Sequence, residues 1–152
     1  MPRQPADPSP PGLRAWSVLL AVHATLVEKI EAALAAEGLP PLGWYDVLWA
    51  LEKSPDGRLR MSELAHSIVL SRSNLTRLID RLEDAKLATR ERCPDDRRGA
   101  FAVLQPAGRE MRRRMWPVYR KQIEALFASH LGEKEAEVLF ATLAKILKAT
   151  RG

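Results

Sequence analysis

Cysteine is nearly absent: Cys93 is the single one among 152 residues. No intramolecular disulfide can form, and no Cys/His cluster has the spacing of a structural zinc site, so a reducing cytoplasm is the expected setting. Long apolar runs are missing as well. No stretch approaches the roughly 20 apolar residues that span a bilayer, and the N-terminus lacks the pattern of a secretory leader, so neither a membrane protein nor a secreted precursor is expected. Histidine is scarce. His23, His66 and His130 fall on three separate predicted helices and none belongs to a ligand motif, which argues against a metal site. There is no glycine-rich phosphate loop, nucleophile elbow or catalytic acid pair, so the expectation is a protein without enzymatic activity or cofactor.

What is present is the make-up of a folded domain. Hydrophobic residues account for 46% and charged residues for 28%, values typical of globular chains, and the length suits one domain with its own core. The formal charge is +5 with a pI near 9.7. Its distribution says more than its sum, because residues 71–114 hold 12 Lys/Arg against 7 Asp/Glu while the remainder holds 12 of each. A basic region in a neutral body is the footprint of a surface that meets phosphates.

Five prolines in residues 1–12 read as a mobile tail. From Leu13 to Glu37 the apolar positions Leu13, Trp16, Leu20, Val27, Ile30 and Leu34 recur at helical spacing, and Gly38 ends the segment. A second helix carries Trp44, Val47, Leu48 and Leu51 to about Lys53, before a turn at Ser54-Pro55-Asp56-Gly57. Two shorter helices follow, with Ser62 and Ser71 as candidate caps. The second of them places Leu75, Leu78, Ile79 and Leu82 on one face, and Ser73, Arg77, Asp80 and Asp84 on the other, flanked by Asn74, Thr76 and Arg81. Residues 88–93 and 100–105 read as strands joined by the charged tip Pro94-Asp95-Asp96-Arg97-Arg98-Gly99. Helical pattern resumes at Pro106 and runs to Leu131 with Pro117 inside it, where a kink is expected. After Gly132, a last helix carries the stripe Val138, Leu139, Leu143, Ile146 and Leu147.

Two short helices followed by a two-stranded ribbon form the element order of a winged helix-turn-helix. A helix-turn-helix wants apolar residues at its fourth, eighth, tenth, fifteenth and eighteenth places and a small one at the fifth, so that its helices cross closely. Counted from Met61, these are Leu64, Ile68, Leu70, Leu75 and Leu78, with Ala65 at the fifth. A helix of this kind fits the major groove and turns its polar side to base edges, a role suited to Ser73, Asn74, Thr76 and Arg77.

The segment from Leu64 to Gln105 resembles the DNA-binding core of the MarR family of bacterial transcriptional regulators. The likeness is carried by Ser-Arg-Ser-Asn-Leu-Thr-Arg-Leu-Ile-Asp-Arg-Leu-Glu at 71–83, Leu87, and Asp-Asp-Arg-Arg-Gly-Ala-Phe-Ala-Val-Leu at 95–104. It implies a mainly α fold with a small β-hairpin wing: a winged-helix DNA-binding lobe at 42–105 and dimerisation helices at 13–37 and 106–152. It implies a homodimer that binds a pseudo-palindromic operator in double-stranded DNA, as a repressor where the operator overlaps a promoter. DNA contacts would come from Ser71, Arg72, Ser73, Asn74, Thr76, Arg77, Arg81 and Arg97. Arg98 matches the arginine that enters the minor groove, and Asp96 the acid that orients it. Three positions depart from the pattern. Val69 and Lys86 stand where glycine is common, and Gln105 where threonine caps the fifth helix.

The resemblance also implies a small aromatic or phenolic effector in a cleft, for which Trp16, His23, Trp44, Trp49, Met111, Arg112 and Met115 are the candidates; packing into a core or dimer interface is the competing role. Cys93, beside Arg90 and Arg92, leaves a redox-responsive regulator open. A winged helix used as a protein-interaction module also stays open. Such a module has no need for Ser73, Asn74, Thr76 and Arg77 together with Arg98.

Overall fold

The computed structural model describes residues 9–68 and 72–152, the side chains at 72, 73, 96 and 97 excepted. The chain is mainly helical. Its elements are α1 (Pro11–Ala36), α2 (Leu42–Lys53), β1 (Arg58–Arg60), α3 (Met61–Ser67), α4 (Arg72–Asp84), β2 (Ala88–Cys93), β3 (Asp96–Leu104), α5 (Pro106–Leu126) and α6 (Glu133–Arg151). It divides into two compact units, residues 31–121 and the two terminal segments up to 30 and from 122.

Within residues 31–121, the helical stripes read from the sequence converge on one core. Val47, Leu48, Leu51, Leu64, Ile79, Leu82 and Ala102 are wholly buried, and Ile68, Leu75, Leu78, Leu87 and Ala88 nearly so. Each Leu, Ile or Val side chain removed from water in this way contributes about 1.5–3 kcal/mol of transfer free energy. The strands form an antiparallel sheet in the order β1-β3-β2. Strand β1 is unforeseen in the sequence. Its three residues, Arg58, Leu59 and Arg60, pair with Val103, Ala102 and Phe101. On the face away from the core, the Arg58 guanidinium lies 4.1 Å from the Phe101 ring centroid and 3.4 Å from Glu91.

The hairpin differs from the expected one in where it turns. Strand β3 begins at Asp96 rather than Ala100, and only Pro94 and Asp95 form the turn. The register explains the difference: Arg92 pairs with Ala100, but Cys93 pairs with Asp96. Residues 97–99 are thus the surplus of a bulge, which bends the strand and re-aims its side chains.

Two helices end in the same way. After α1 the Leu39 N–H donates to the Leu34 carbonyl and the Gly38 N–H to Ala35, and after α4 the Leu87 N–H donates to Leu82 and the Lys86 N–H to Glu83. Both are Schellman ends, in which the residue past the cap adopts positive φ. Gly38 does so at φ 69° without a side chain to strain, whereas Lys86 does so at φ 61° with one. The Lys86 departure is therefore accommodated at a steric cost.

Helix α5 starts against this end. The Gln105 N–H donates to the Leu87 carbonyl at 3.0 Å, and the Gln105 carbonyl accepts the N–H groups of Gly108 and Arg109. A β-carbon on Gly108 would run into that same Leu87 carbonyl. Glycine is required here by close approach. Helix α5 continues through Pro117 but ends at Leu126, short of the expected Leu131, and a 3-10 turn at Ala128–His130 follows. At the other helix starts, α1 begins at Pro11, and α3 begins at Met61 with Arg60 before it, so Ser62 is a helix residue and not the cap.

The terminal unit is built differently. Helix α6 has no buried residue, although Val138, Phe140, Leu143, Ile146 and Leu147 all lie on it. Its start is held by Glu135, whose Oε1 accepts the Gly132 N–H at 3.0 Å. On α1, Leu13, Trp16, Val18, Leu19, Leu20 and Val22 are exposed. No helix among the described residues is long and apolar enough to cross a membrane.

Candidate nucleic-acid interface

Helices α3 and α4 show the packing that the helix-turn-helix spacing demands. Leu64, Ile68, Leu75 and Leu78 are buried and Ala65 packs against the core; Leu70, like Val69 and Ser71, lies outside the described residues. With Leu75, Leu78, Ile79 and Leu82 turned inward, the remaining circumference of α4 faces outward. Asn74, Thr76, Arg77 and Arg81 are all exposed there. Arg72 and Ser73 belong to its first turn, and their side chains lie outside the description. A 13-residue helix is about 20 Å long, enough to follow a major groove of about 12 Å width.

The wing supplies the second basic element. Arg98 is exposed in the bulge of β3, next to Arg97, and Asp96 opens the strand; the Asp96 and Arg97 side chains are outside the description, so the orienting contact expected for Asp96 is too. Arg98 borders a hollow of about 290 Å³ together with Arg60 and Ser62. Arg60, which had no periodic signal in the sequence, thus joins the basic surface beside the wing. Cys93 borders the same hollow but is buried, 4% exposed, and a thiol so placed is shielded from oxidants.

The effector candidates fall in both units. In residues 31–121, Met115 is wholly buried, and Trp44 and Met111 pack against the core. Trp49 is 39% exposed, with the Arg112 guanidinium 4.9 Å from its ring centroid. Arg112 is in turn ion-paired through Nε with Glu52, which also lies 3.4 Å from Arg109. Trp16 and His23 belong to the terminal unit and are exposed on α1. The sequence reading missed an aromatic cluster on α2 and α5. Tyr45 stacks on Trp116 at 5.9 Å and meets Tyr119 edge-on at 5.0 Å. Burial pushes the carboxyl of neighbouring Asp46 above its ordinary range, with Lys53 drawing it back, and burial followed by the Asp46 charge raises the Tyr119 hydroxyl.

A helix-turn-helix with an exposed polar helix and an arginine-bearing β-ribbon defines the winged-helix class. Comparison with known proteins narrows this. A profile of the MarR family matches residues 37–99. The chain is 34% identical to AbsC, a MarR family transcriptional regulator of Streptomyces coelicolor, over 99% of each chain, with a TM-score of 0.83. It is 28% identical to Sco3205 from the same organism, a MarR family transcriptional regulator solved in complex with DNA; that match covers 95% of this chain and 91% of the other at a TM-score of 0.84. It is also 25% identical to the transcriptional regulator MhqR of Bacillus subtilis, over 88% of this chain and 90% of that protein. The chain belongs to the MarR family of transcriptional regulators.

Proposed function

We propose that the protein regulates transcription by binding an operator in double-stranded DNA as a homodimer. The observation that carries this reading is the combination of α4, exposed along Asn74, Thr76, Arg77 and Arg81, with Arg98 in the wing bulge. Asn and Arg side chains read adenine and guanine edges in the major groove, and an arginine on a ribbon senses a narrowed minor groove. Ser71, Arg72, Ser73 and Arg97 complete the contact set, with Asp96 orienting Arg98. The likeness to Sco3205, solved with DNA, supports it. An interaction module would not need this set of donors.

The second chain of the homodimer covers the apolar faces of α1 and α6. A groove of about 520 Å³ along α6, lined by Leu131, Val138, Leu139 and Thr142, is part of that face. Two copies related by a two-fold axis present two α4 helices to half-sites about one helical turn apart. Repression follows where the operator overlaps a promoter.

Fluorescence anisotropy of the protein on the intergenic DNA beside its own gene, against scrambled DNA of equal composition at several salt concentrations, tests the reading. Specific regulation requires a preference of about 10³-fold or more. Equal, steeply salt-dependent binding to both duplexes would signify phosphate contact alone.

A further inference from the structure

Helix α4 poses an electrostatic problem. It carries Arg72, Arg77 and Arg81, but also Asp80, Glu83 and Asp84, and carboxylates beside a DNA backbone repel it. Two of the three, Asp80 and Glu83, are taken up within the fold. Thr76, Asp80 and Glu83 succeed one another at four- and three-residue spacing and so form a single stripe along the helix. Arg77 and Arg81 lie along the other edge of the exposed face with Asn74 beside them, and Asp84 falls between the two edges.

One side chain runs along the acidic stripe. Arg90 of β2 donates from Nη2 to Asp80 Oδ1 at 2.6 Å and to the Thr76 carbonyl at 3.1 Å, and its Nη1 lies 3.6 Å from Glu83 Oε1. The Arg90 backbone N–H donates to Glu83 Oε2 at 2.9 Å. Strand alternation puts it there. Arg90 pairs with Ala102, which is wholly buried, so its side chain leaves the sheet on the helix side, whereas Glu91 leaves on the opposite face to meet Arg58.

We propose that Arg90 is a positioning residue for the DNA-binding surface. It touches no DNA. It takes up the charge of Asp80 and Glu83 and fixes the rotation of α4 about its axis relative to the wing strand, so that the Arg77–Arg81 flank faces the nucleic acid. The planar guanidinium suits this because it reaches two turns of helix at once, which the single ammonium of lysine cannot. The inference rests on the DNA-binding reading above.

The test is anisotropy on the native intergenic duplex for the unaltered protein, Arg90→Met, Arg90→Lys and the triple variant Arg90→Met/Asp80→Asn/Glu83→Gln, with thermal unfolding of each. Arg90→Met is expected to weaken binding at least about tenfold, or 1.4 kcal/mol, the loss shrinking as salt screens the freed carboxylates. Arg90→Lys should recover part of the affinity, and the triple variant most of it, because the offending charges are gone. Unchanged binding by Arg90→Met would overturn the proposal. So would a loss that the triple variant does not recover and that comes with a lowered melting temperature, since that pattern means a general loss of fold; the same loss at an unchanged melting temperature would assign Arg90 to holding the rotation of α4. Should the unaltered protein bind neither the native nor the scrambled duplex, the DNA-binding reading itself fails and this inference falls with it.

Discussion

The two units of this chain use similar amphipathic helices and reach opposite outcomes. In residues 31–121 the apolar face of α4 disappears into a core shared with α2, α3 and the sheet, and Leu75, Ile79 and Leu82 are at most 1% exposed. On α6, Val138 and Phe140 remain 66% and 76% exposed. A stripe of leucines at helical spacing announces that something will cover it, without saying whether the cover lies in the same chain. The exposed face is larger than scattered surface residues would make it, and such patches mark interfaces. One unit is complete in itself, and the other would be half of an interface in the homodimer proposed above.

The largest effect should come from breaking that half. Phe140→Asp combined with Ile146→Asp places two charges on the α6 face. Sedimentation should find single chains, and operator affinity should fall by about 10²–10⁴-fold once two half-sites are no longer engaged together. Leu82→Ala attacks the self-contained unit instead. It should cost about 2–5 kcal/mol of stability, read by chemical denaturation, through the cavity it leaves. Arg98→Ala should separate function from folding: binding weakens by about 1–3 kcal/mol in anisotropy while the melting temperature stays put.

Smaller changes sharpen the picture inside residues 31–121. Lys86→Gly replaces a strained positive-φ residue with the kind found at Gly38 and should stabilise by roughly 0.5–1 kcal/mol, seen as a higher melting temperature. Asp46→Asn removes a half-buried carboxylate whose acidity burial weakens. Because its folded-state pKa lies above the unfolded one, ionisation of Asp46 opposes folding, and stability is lost as pH rises through the folded value. The asparagine variant should gain less than about 1 kcal/mol at neutral pH, solvent screening allowing no more. The gain should vanish in acid, where Asp46 is protonated in both states.

Local pattern made much of this legible. The inward positions of α3 and α4, the outward Asn74, Arg77 and Arg81, and the ribbon after α4 all follow from spacing. What escaped is tertiary. Strand β1 is three residues with no pattern of their own and exists because β3 offers an edge. Gly108 looks like a poor helix residue until the Leu87 carbonyl is seen beside it. Arg90 reads as one more charge on a basic strand, and only the approach of α4 shows that it is spoken for by Asp80, Glu83 and Thr76. The bulge at residues 97–99 depends on a register that Pro94 and Asp95 set at the turn.

The most direct test of the account is the mass of the complex formed with the native intergenic duplex, measured by light scattering on a sizing column. The account predicts two chains of 17.0 kDa on each operator, and the same pair in free protein. One chain per duplex, or free single chains with α1 and α6 uncovered, would contradict it.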